Sequence, residues 1–313
     1  MVDLRTNYLN LLLKNPVIPS ASPLSQQLDT AKRLEDAGAP ALVMHSLFEE
    51  KFAGFGKKMA SEGASKYEDD YLDHFTRLNN HLDIPLIASM NGTSAGRWLE
   101  YGKALEEVGA KAIELNVYYL AADGEENCQH VEDHYVDVLM KLRKHVVIPI
   151  AMKVSSQFSS FLNFARRLDN AGIQGLTMFN RFYQPDIDLE SLEVKPRLEY
   201  SSSIESLVPI RWTAILSGRI SCALGVNGGI HISEDVLKAV LAGADVTYMC
   251  SALLREGPEY LATVIREISQ WLEQHNYRSI QQIRGSASHR FTVDPTSYER
   301  ANYVHMLESY GHG

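Results

Sequence analysis

The sequence predicts a (β/α)8 TIM barrel, and three observations predict it. A small-Gly-small step followed by a short apolar run recurs four times. It appears as Ala37-Gly38-Ala39 before Ala41-Leu42-Val43-Met44 and as Val108-Gly109-Ala110 before Ala112-Ile113-Glu114-Leu115. It returns as Ala171-Gly172-Ile173 before Gly175-Leu176-Thr177-Met178 and as Ala242-Gly243-Ala244 before Asp245-Val246-Thr247-Tyr248. The four glycines are 71, 63 and 71 residues apart. Between them, Ile84-Pro85 and Ile148-Pro149 each open a further apolar run. Together the two series alternate at roughly 35 residues, the length of one strand with its crossover helix. Eight such units close into a barrel more naturally than they spread into an open doubly wound sheet, which stays the competing arrangement because periodicity does not show closure.

Strands are predicted to start near Pro16, Ala41, Pro85, Ala112, Pro149, Gly175, Leu224 and Asp245. Their runs are short, apolar and β-branched, as strands buried on both faces should be. The seventh, around Gly225, has the faintest pattern. Helices are expected over 25–37, 69–81, 95–108, 131–145, 159–171, 233–241 and 258–275. The recurrent glycines fall just past helix ends, where the chain enters left-handed φ/ψ.

Three segments stand outside the repeat. Residues 7–14 read as a hairpin arm ahead of the first strand. Residues 182–208 form an insertion after strand six, with Asp188 to Val194 alternating loosely and Pro196-Arg197 marking a turn. Asp294-Pro295 followed by 297–309 reads as a capped C-terminal helix. The expectation is one barrel domain over 1–313, with a core of about 14–283 and a C-terminal extension of about 284–313.

The 313-residue chain is 45% apolar and 22% charged, an ordinary globular composition. A net charge of −9 and a pI near 5.7 give no general attraction to nucleic acid or anionic lipid. Cys128, Cys222 and Cys250 form no C-x-x-C pair, which argues for a reducing compartment and against an iron–sulfur cluster on this chain. The N-terminus has no signal-peptide pattern and no run spans a bilayer, so a cytoplasmic location without membrane attachment is expected.

In barrels of this kind, functional groups lie at the C-terminal ends of strands, often with a phosphate after strands seven and eight. That rule selects Ser20-Ala21-Ser22, His45-Ser46, Ser89-Met90-Asn91, Asn116, Lys153, Asn180, the loop from Gly225 to Ile230, and Cys250-Ser251-Ala252. Lys153 ends the apolar run Ile150-Ala151-Met152, where an unpaired ammonium is costly. It reads either as a ligand-facing cation or as a structural ion pair with a neighbouring carboxylate such as Glu114. Asn116 and Asn180 end strands four and six, facing a ligand or capping their own turns. Gly228-Gly229-Ile230 precedes a helix near Ser233, so successive backbone amides there can surround a phosphate.

Other patterns fail. Gly54-Phe55-Gly56-Lys57-Lys58 lacks both the earlier glycine and the Ser/Thr of a P-loop. No G-x-G-x-x-G occurs. His130 and His134 stand four apart, but Val131 occupies the place of the zinc-protease glutamate. Asn91-Gly92-Thr93 is a glycosylation sequon in spelling only.

Over roughly residues 5–283 the chain resembles the dihydroorotate dehydrogenases, FMN-dependent barrels of pyrimidine synthesis. The resemblance rests on Lys14-Asn15-Pro16 with Ser20-Ala21-Ser22, Glu114-Leu115-Asn116, the Lys153 strand, Asn180, Gly228-Gly229-Ile230, and Ser251-Ala252-Leu253 with Glu256-Gly257-Pro258. Phe179 to Asp188 and the extended C-terminus look like the branch called dihydroorotate dehydrogenase-like proteins. The resemblance implies FMN, with its phosphate on Gly228, Gly229 and Ser251 near Cys250, and with Lys153 at the N1/O2 edge. A cation there stabilises the anionic reduced flavin. Ala21 and Ser22 would line the flavin, and Asn116 and Asn180 would face flavin or substrate.

On the substrate side the chain departs from the family's pattern. Where soluble members run Asn-x-Ser-Cys-Pro-Asn, it has Asn116-Val117-Tyr118-Tyr119-Leu120-Ala121. Tyr119 thus takes the place of the base, and Ala121 that of a substrate-binding asparagine. His45 replaces a lysine, Ser65 another asparagine, and Cys250 a glycine. His45, Asn116, Asn180 and Arg181 are the expected substrate contacts. The implied activity is flavin-dependent oxidation or reduction of a C–C bond, with Tyr119 as the leading acid/base and Cys128 or His130 as alternates. A tyrosine serves as proton donor more readily than as base near neutrality. Electrons would pass to a second substrate or a redox partner protein, and soluble members suggest a homodimer. Two other readings remain: a flavin-bearing subunit of a larger redox complex, and a lyase or isomerase using Lys153 as a Schiff-base nucleophile.

Overall fold

The computed structural model describes residues 2–51, 62–94, 96–181 and 183–310. The Gly54–Lys58 stretch, Phe182 and the side chain of Ser65 lie outside the described residues. The chain begins with an antiparallel hairpin, β1 (Thr6–Tyr8) and β2 (Leu11–Leu13). Then come β3 (Val17–Pro19), α1 (Leu28–Asp36), β4 (Leu42–Val43), β5 (Leu47–Phe48), α2 (Glu62–His81), β6 (Leu86–Asn91), α3 (Tyr101–Glu107) and β7 (Ala112–Asn116). The second half continues through α4 (Cys128–Leu142), β8 (Ile150–Val154), α5 (Phe161–Asn170) and β9 (Gly175–Met178). A second hairpin follows, β10 (Pro185–Asp188) and β11 (Glu193–Pro196). The rest is α6 (Leu207–Leu216), β12 (Ala223–Asn227), α7 (Ser233–Ala242), β13 (Val246–Met249), α8 (Ser251–Glu256), α9 (Tyr260–Gln274) and α10 (Ala301–Tyr310).

The parallel strands run in the order β3-β13-β12-β9-β8-β7-β6-β4, with β5 beside the end of β6. The two ends of that order, β3 and β4, lie against each other. The sheet therefore curls into a nearly closed barrel, not an open sheet.

Alternation along each strand sorts side chains between two cores. In β7, Ile113 and Leu115 face the helical shell, and in β8, Ile150, Met152 and Val154 do the same. Ala112 and Ala151 face the barrel interior with Ile18, Val43, Ile87 and Val246. The next inward positions up the strands are Glu114, Asn116 and Lys153, so the same alternation that builds the core aims these polar groups at the mouth.

The first hairpin closes the opposite end. Tyr8, Leu9 and Leu13 enter the inner core, and the Tyr8 hydroxyl accepts from Tyr248 at 2.8 Å and meets Thr177 at 3.4 Å. A Cβ on Gly225 would lie 2.7 Å from the Tyr248 ring, and one on Gly175 would lie 2.9 Å from the Tyr8 hydroxyl. Those two strand glycines make room for the tyrosines.

Some boundaries differ from expectation. The expected helix 95–108 divides into a tight 3-10 turn, Arg97–Glu100, and the shorter α3. Sequence periodicity offers no helix between strands six and seven, yet α6 supplies one, beginning inside the expected insertion. Its apolar residues (Leu207, Val208, Ile210, Trp212, Ile215 and Leu216) surround the helix and form no stripe, so it has no amphipathic period to read. No helix among the described residues is long and apolar enough to cross a membrane.

Candidate active site

The C-terminal rim of the barrel gathers a continuous chain of polar groups. Lys153, 5% exposed, donates to Ser20 Oγ at 3.4 Å and lies 3.5 Å from Glu114 Oε1. Ser20 Oγ donates to Asn227 Oδ1 at 3.2 Å, and Asn227 Nδ2 donates to the Phe179 carbonyl at 2.6 Å. The ion-pair reading of Lys153 is met by Glu114. The lysine also belongs to a network that ends at the glycine loop. Asn180 Nδ2 donates to Asn116 Oδ1 at 2.7 Å, which couples the ends of β9 and β7.

Asn227 leads directly into Gly228 and Gly229, whose φ values are +94° and +74°. A Cβ on Gly228 would meet nothing, whereas one on Gly229 would fall 2.2 Å from the Ser206 backbone nitrogen. Among the described residues, the amides of Gly228, Gly229 and Ile230 donate no hydrogen bond. Unmet amides in left-handed turns make a concave anion site. Ser251 Oγ stands at the next strand end and accepts from Ser201 Oγ at 3.0 Å and from the Ser201 amide at 3.3 Å. Ser201 Oγ also meets His231 Nε2 at 2.9 Å. Burial, with the nearby charge of Arg255, holds the His231 imidazole below its ordinary pKa.

Ala21, Ser22 and Cys250 follow the ends of β3 and β13 at the same rim. Ala21 packs on the inner core, and Ser22 Oγ accepts from the Leu24 amide at 3.3 Å. Burial pushes the Cys250 thiol up, while the Lys153 charge and a Ser22 hydrogen bond pull against it. An anion cradle joined by hydrogen bonds to a buried cation fits a phosphate-bearing ring that gains negative charge.

The family model described as dihydroorotate dehydrogenase matches residues 54–272. The chain belongs to the dihydroorotate dehydrogenase family. Members of this family are flavin-dependent oxidoreductases that act on CH–CH groups. The chain is 22% identical over 310 residues to the dihydroorotate dehydrogenase B (NAD+) catalytic subunit of Thermoplasma acidophilum, covering 92% of this chain and 99% of that one. It is 25% identical to the corresponding subunit of Methanocaldococcus jannaschii, over 91% and 98% of the two chains. It is 29% identical to the putative dihydroorotate dehydrogenase A (fumarate) of Aeropyrum pernix, over 65% and 68%.

Within this family frame, the expected substrate residues do not all converge. The Tyr119 hydroxyl donates to Glu126 Oε2 at 2.6 Å and its ring lies 5.1 Å from that of His134, against α4. The Glu126 bond holds the phenol above its ordinary pKa. Tyr118 turns the other way, with its hydroxyl 3.5 Å from the Tyr183 carbonyl of the insertion. His45 is held by Ser25, whose Oγ accepts from the His45 amide at 2.7 Å, and burial with the nearby His74 pushes its imidazole down to about 4. A neutral imidazole thus occupies the strand-two position. Arg181 is engaged by Glu205 at 2.9 Å and by the Glu199 carbonyl, so it braces the insertion. The alternates Cys128 and His130 are exposed in the first turn of α4.

Ser201 and His231 were not among the expected site residues, nor was Tyr118. His231 follows the glycine loop by two residues, a signal that sequence order alone carries. Ser201 lies within the insertion, 50 residues before Ser251, and no local pattern connects them.

Proposed function

We propose that this chain is an FMN enzyme that oxidises or reduces a C–C bond in dihydroorotate/orotate or a related small cyclic substrate. The carrying observation is the hydrogen-bonded run from Lys153 through Ser20 to Asn227, which ends at the open amides of Gly228 and Gly229. A phosphate would be held by those amides with the Ser251 hydroxyl, and Lys153 would face the pyrimidine edge of the ring, with Ala21, Ser22 and Cys250 lining it. When bound, the flavin supplies hydride acceptance or donation. The protein's own groups do the rest. Lys153 sets a fixed positive charge where the ring gains electrons. Asn116 and Asn180, locked by their mutual bond, present one oriented amide edge to flavin or substrate. Tyr119, a phenol that stays protonated near neutrality, delivers the proton in the reducing direction once its side chain turns from α4 toward the mouth.

Pocket chemistry selects the substrate. His45 is neutral where a second cation would favour an anionic group, and Ala121 and Tyr119 change the loop after β7. That composition favours a ring less charged than dihydroorotate. The relatives named as catalytic subunits support a redox partner protein or a second small substrate as electron acceptor. The chain is proposed to work in the cytoplasm as a homodimer. The insertion supplies a candidate interface, because Ile187 and Val194 are paired in register and 62% and 69% exposed, and two strands alone are marginal in water.

The test is the visible spectrum of purified protein, followed by anaerobic addition of dihydroorotate and then dithionite. A flavin spectrum that bleaches with either reagent supports the reading, and dihydroorotate bleaching identifies the substrate. A colourless protein that takes up no FMN on reconstitution rejects it.

A further inference from the structure

Glu114 is a carboxylate in a costly place. It is completely enclosed, on the inward face of β7 between Ala112 and Asn116. Its Oε1 lies 3.5 Å from Lys153 Nζ, and its Oε2 has no hydrogen-bond partner among the described residues. Neighbouring hydroxyls are paired elsewhere. Ser89, its register neighbour on β6, meets Ser46 at 2.8 Å, while Tyr8 and Tyr248 bond each other. Among the described residues Glu114 therefore has one hydrogen-bonding partner, the site's buried cation. Fold stability does not explain the pair, since an apolar replacement of a buried ion pair is commonly neutral or stabilising.

We propose that Glu114 is a positioning residue that acts on the flavin through Lys153. Its Oε1 aims the ammonium, and its negative charge offsets part of the field that Lys153 presents to the ring. The inference rests on the FMN reading above. A carboxylate directly behind the lysine opposes any negative charge brought onto the ring, because Coulomb energies are large at short range in a poorly screened interior. Glu114 thereby holds the flavin's potential below the value that Lys153 alone would set, and the reduced enzyme passes electrons on more readily.

The test uses FMN-loaded protein and sulfite, whose sulfur lone pair adds to the flavin N5 and leaves the negative charge on the pyrimidine edge. Glu114→Gln removes the carboxylate charge at nearly constant shape. It is expected to bind sulfite about tenfold more tightly and to raise the midpoint potential by about 30 mV, the two-electron equivalent of tenfold. Glu114→Asp keeps the charge and is expected to restore sulfite affinity to near the wild-type value. A flavin-loaded Gln variant with unchanged sulfite affinity and potential overturns the proposal, as does an Asp variant that shifts as far as Gln. If the Gln variant retains no flavin, Glu114→Met, which also removes the charge, takes its place under the same two outcomes. Failure of the wild-type protein to bind FMN is a separate outcome that removes the parent reading.

Discussion

A Cβ placed on Gly229 would lie 2.2 Å from the backbone nitrogen of Ser206, so the loop after β12 and the segment leading into α6 touch backbone to backbone. The contact fixes the glycine loop against the insertion that also carries Ser201 to Ser251. Gly229→Ala must displace that backbone as well as hold a left-handed residue, which alone costs about 1–2 kcal/mol. The variant is expected to lose both thermal stability and bound flavin. Gly228→Ala meets no atom, so it should show only the backbone cost. Melting temperature and the flavin-to-protein ratio of the two variants check this, and equal losses would reject the close-approach argument.

Lys153→Met leaves Glu114 buried without a counter-charge, a change expected to cost about 3–5 kcal/mol. It also removes the fixed cation, and flavin reduction should slow by roughly 10²–10³-fold. Adding Glu114→Gln to Lys153→Met should restore much of the stability and none of the rate. Denaturant midpoints and anaerobic stopped-flow reduction separate the two effects. Recovery of the rate in the double variant would show that Lys153 acts only structurally.

Tyr119→Phe removes the phenol bonded to Glu126 and is expected to lower turnover of the true substrate by roughly 10²-fold or more. Glu126→Gln should bring the Tyr119 pKa down toward its ordinary value, because the Glu126 bond is the main cause of its rise. Ultraviolet difference titration reads the second effect and steady-state kinetics the first. Unchanged turnover in Tyr119→Phe would transfer the acid role to another group.

His45 has a folded pKa of about 4 against an ordinary 6.5, set first by burial and then by His74. The unfolded chain therefore binds more protons than the folded one between those values, and stability rises with pH across that window. The full contribution is present above pH 6.5 and is lost on acidification toward pH 4. Wild-type protein should melt lower at pH 5 than at pH 7, and His45→Gln should show a shallower dependence. Identical pH profiles for the two proteins would remove His45 from the account.

Much of this was legible in the residues. Lys153 after Met152 is a polar group that ends an apolar run, and Glu114 was its candidate carboxylate partner. That both sit on the inward face is a finding of the structure. Strand-end asparagines and the double glycine were readable as well. The orientation of the Tyr118-Tyr119 pair was not, because it depends on α4 offering Glu126 and His134 on one side and the insertion offering Tyr183 on the other. Helix α6 leaves no periodic signal in the sequence because its apolar residues have no preferred face.

Local periodicity, which one stretch of chain carries within itself, determined the alternation of strands and helices, the polar strand ends and the left-handed glycines. Tertiary structure alone decided that the sheet closes, that Ser20 reaches Asn227 across 207 residues, and that Ser201 leaves the insertion to meet Ser251 and His231. The physical reason is that such contacts follow from strand register and the curl of the whole sheet. Neither leaves a trace in the spacing of neighbouring residues.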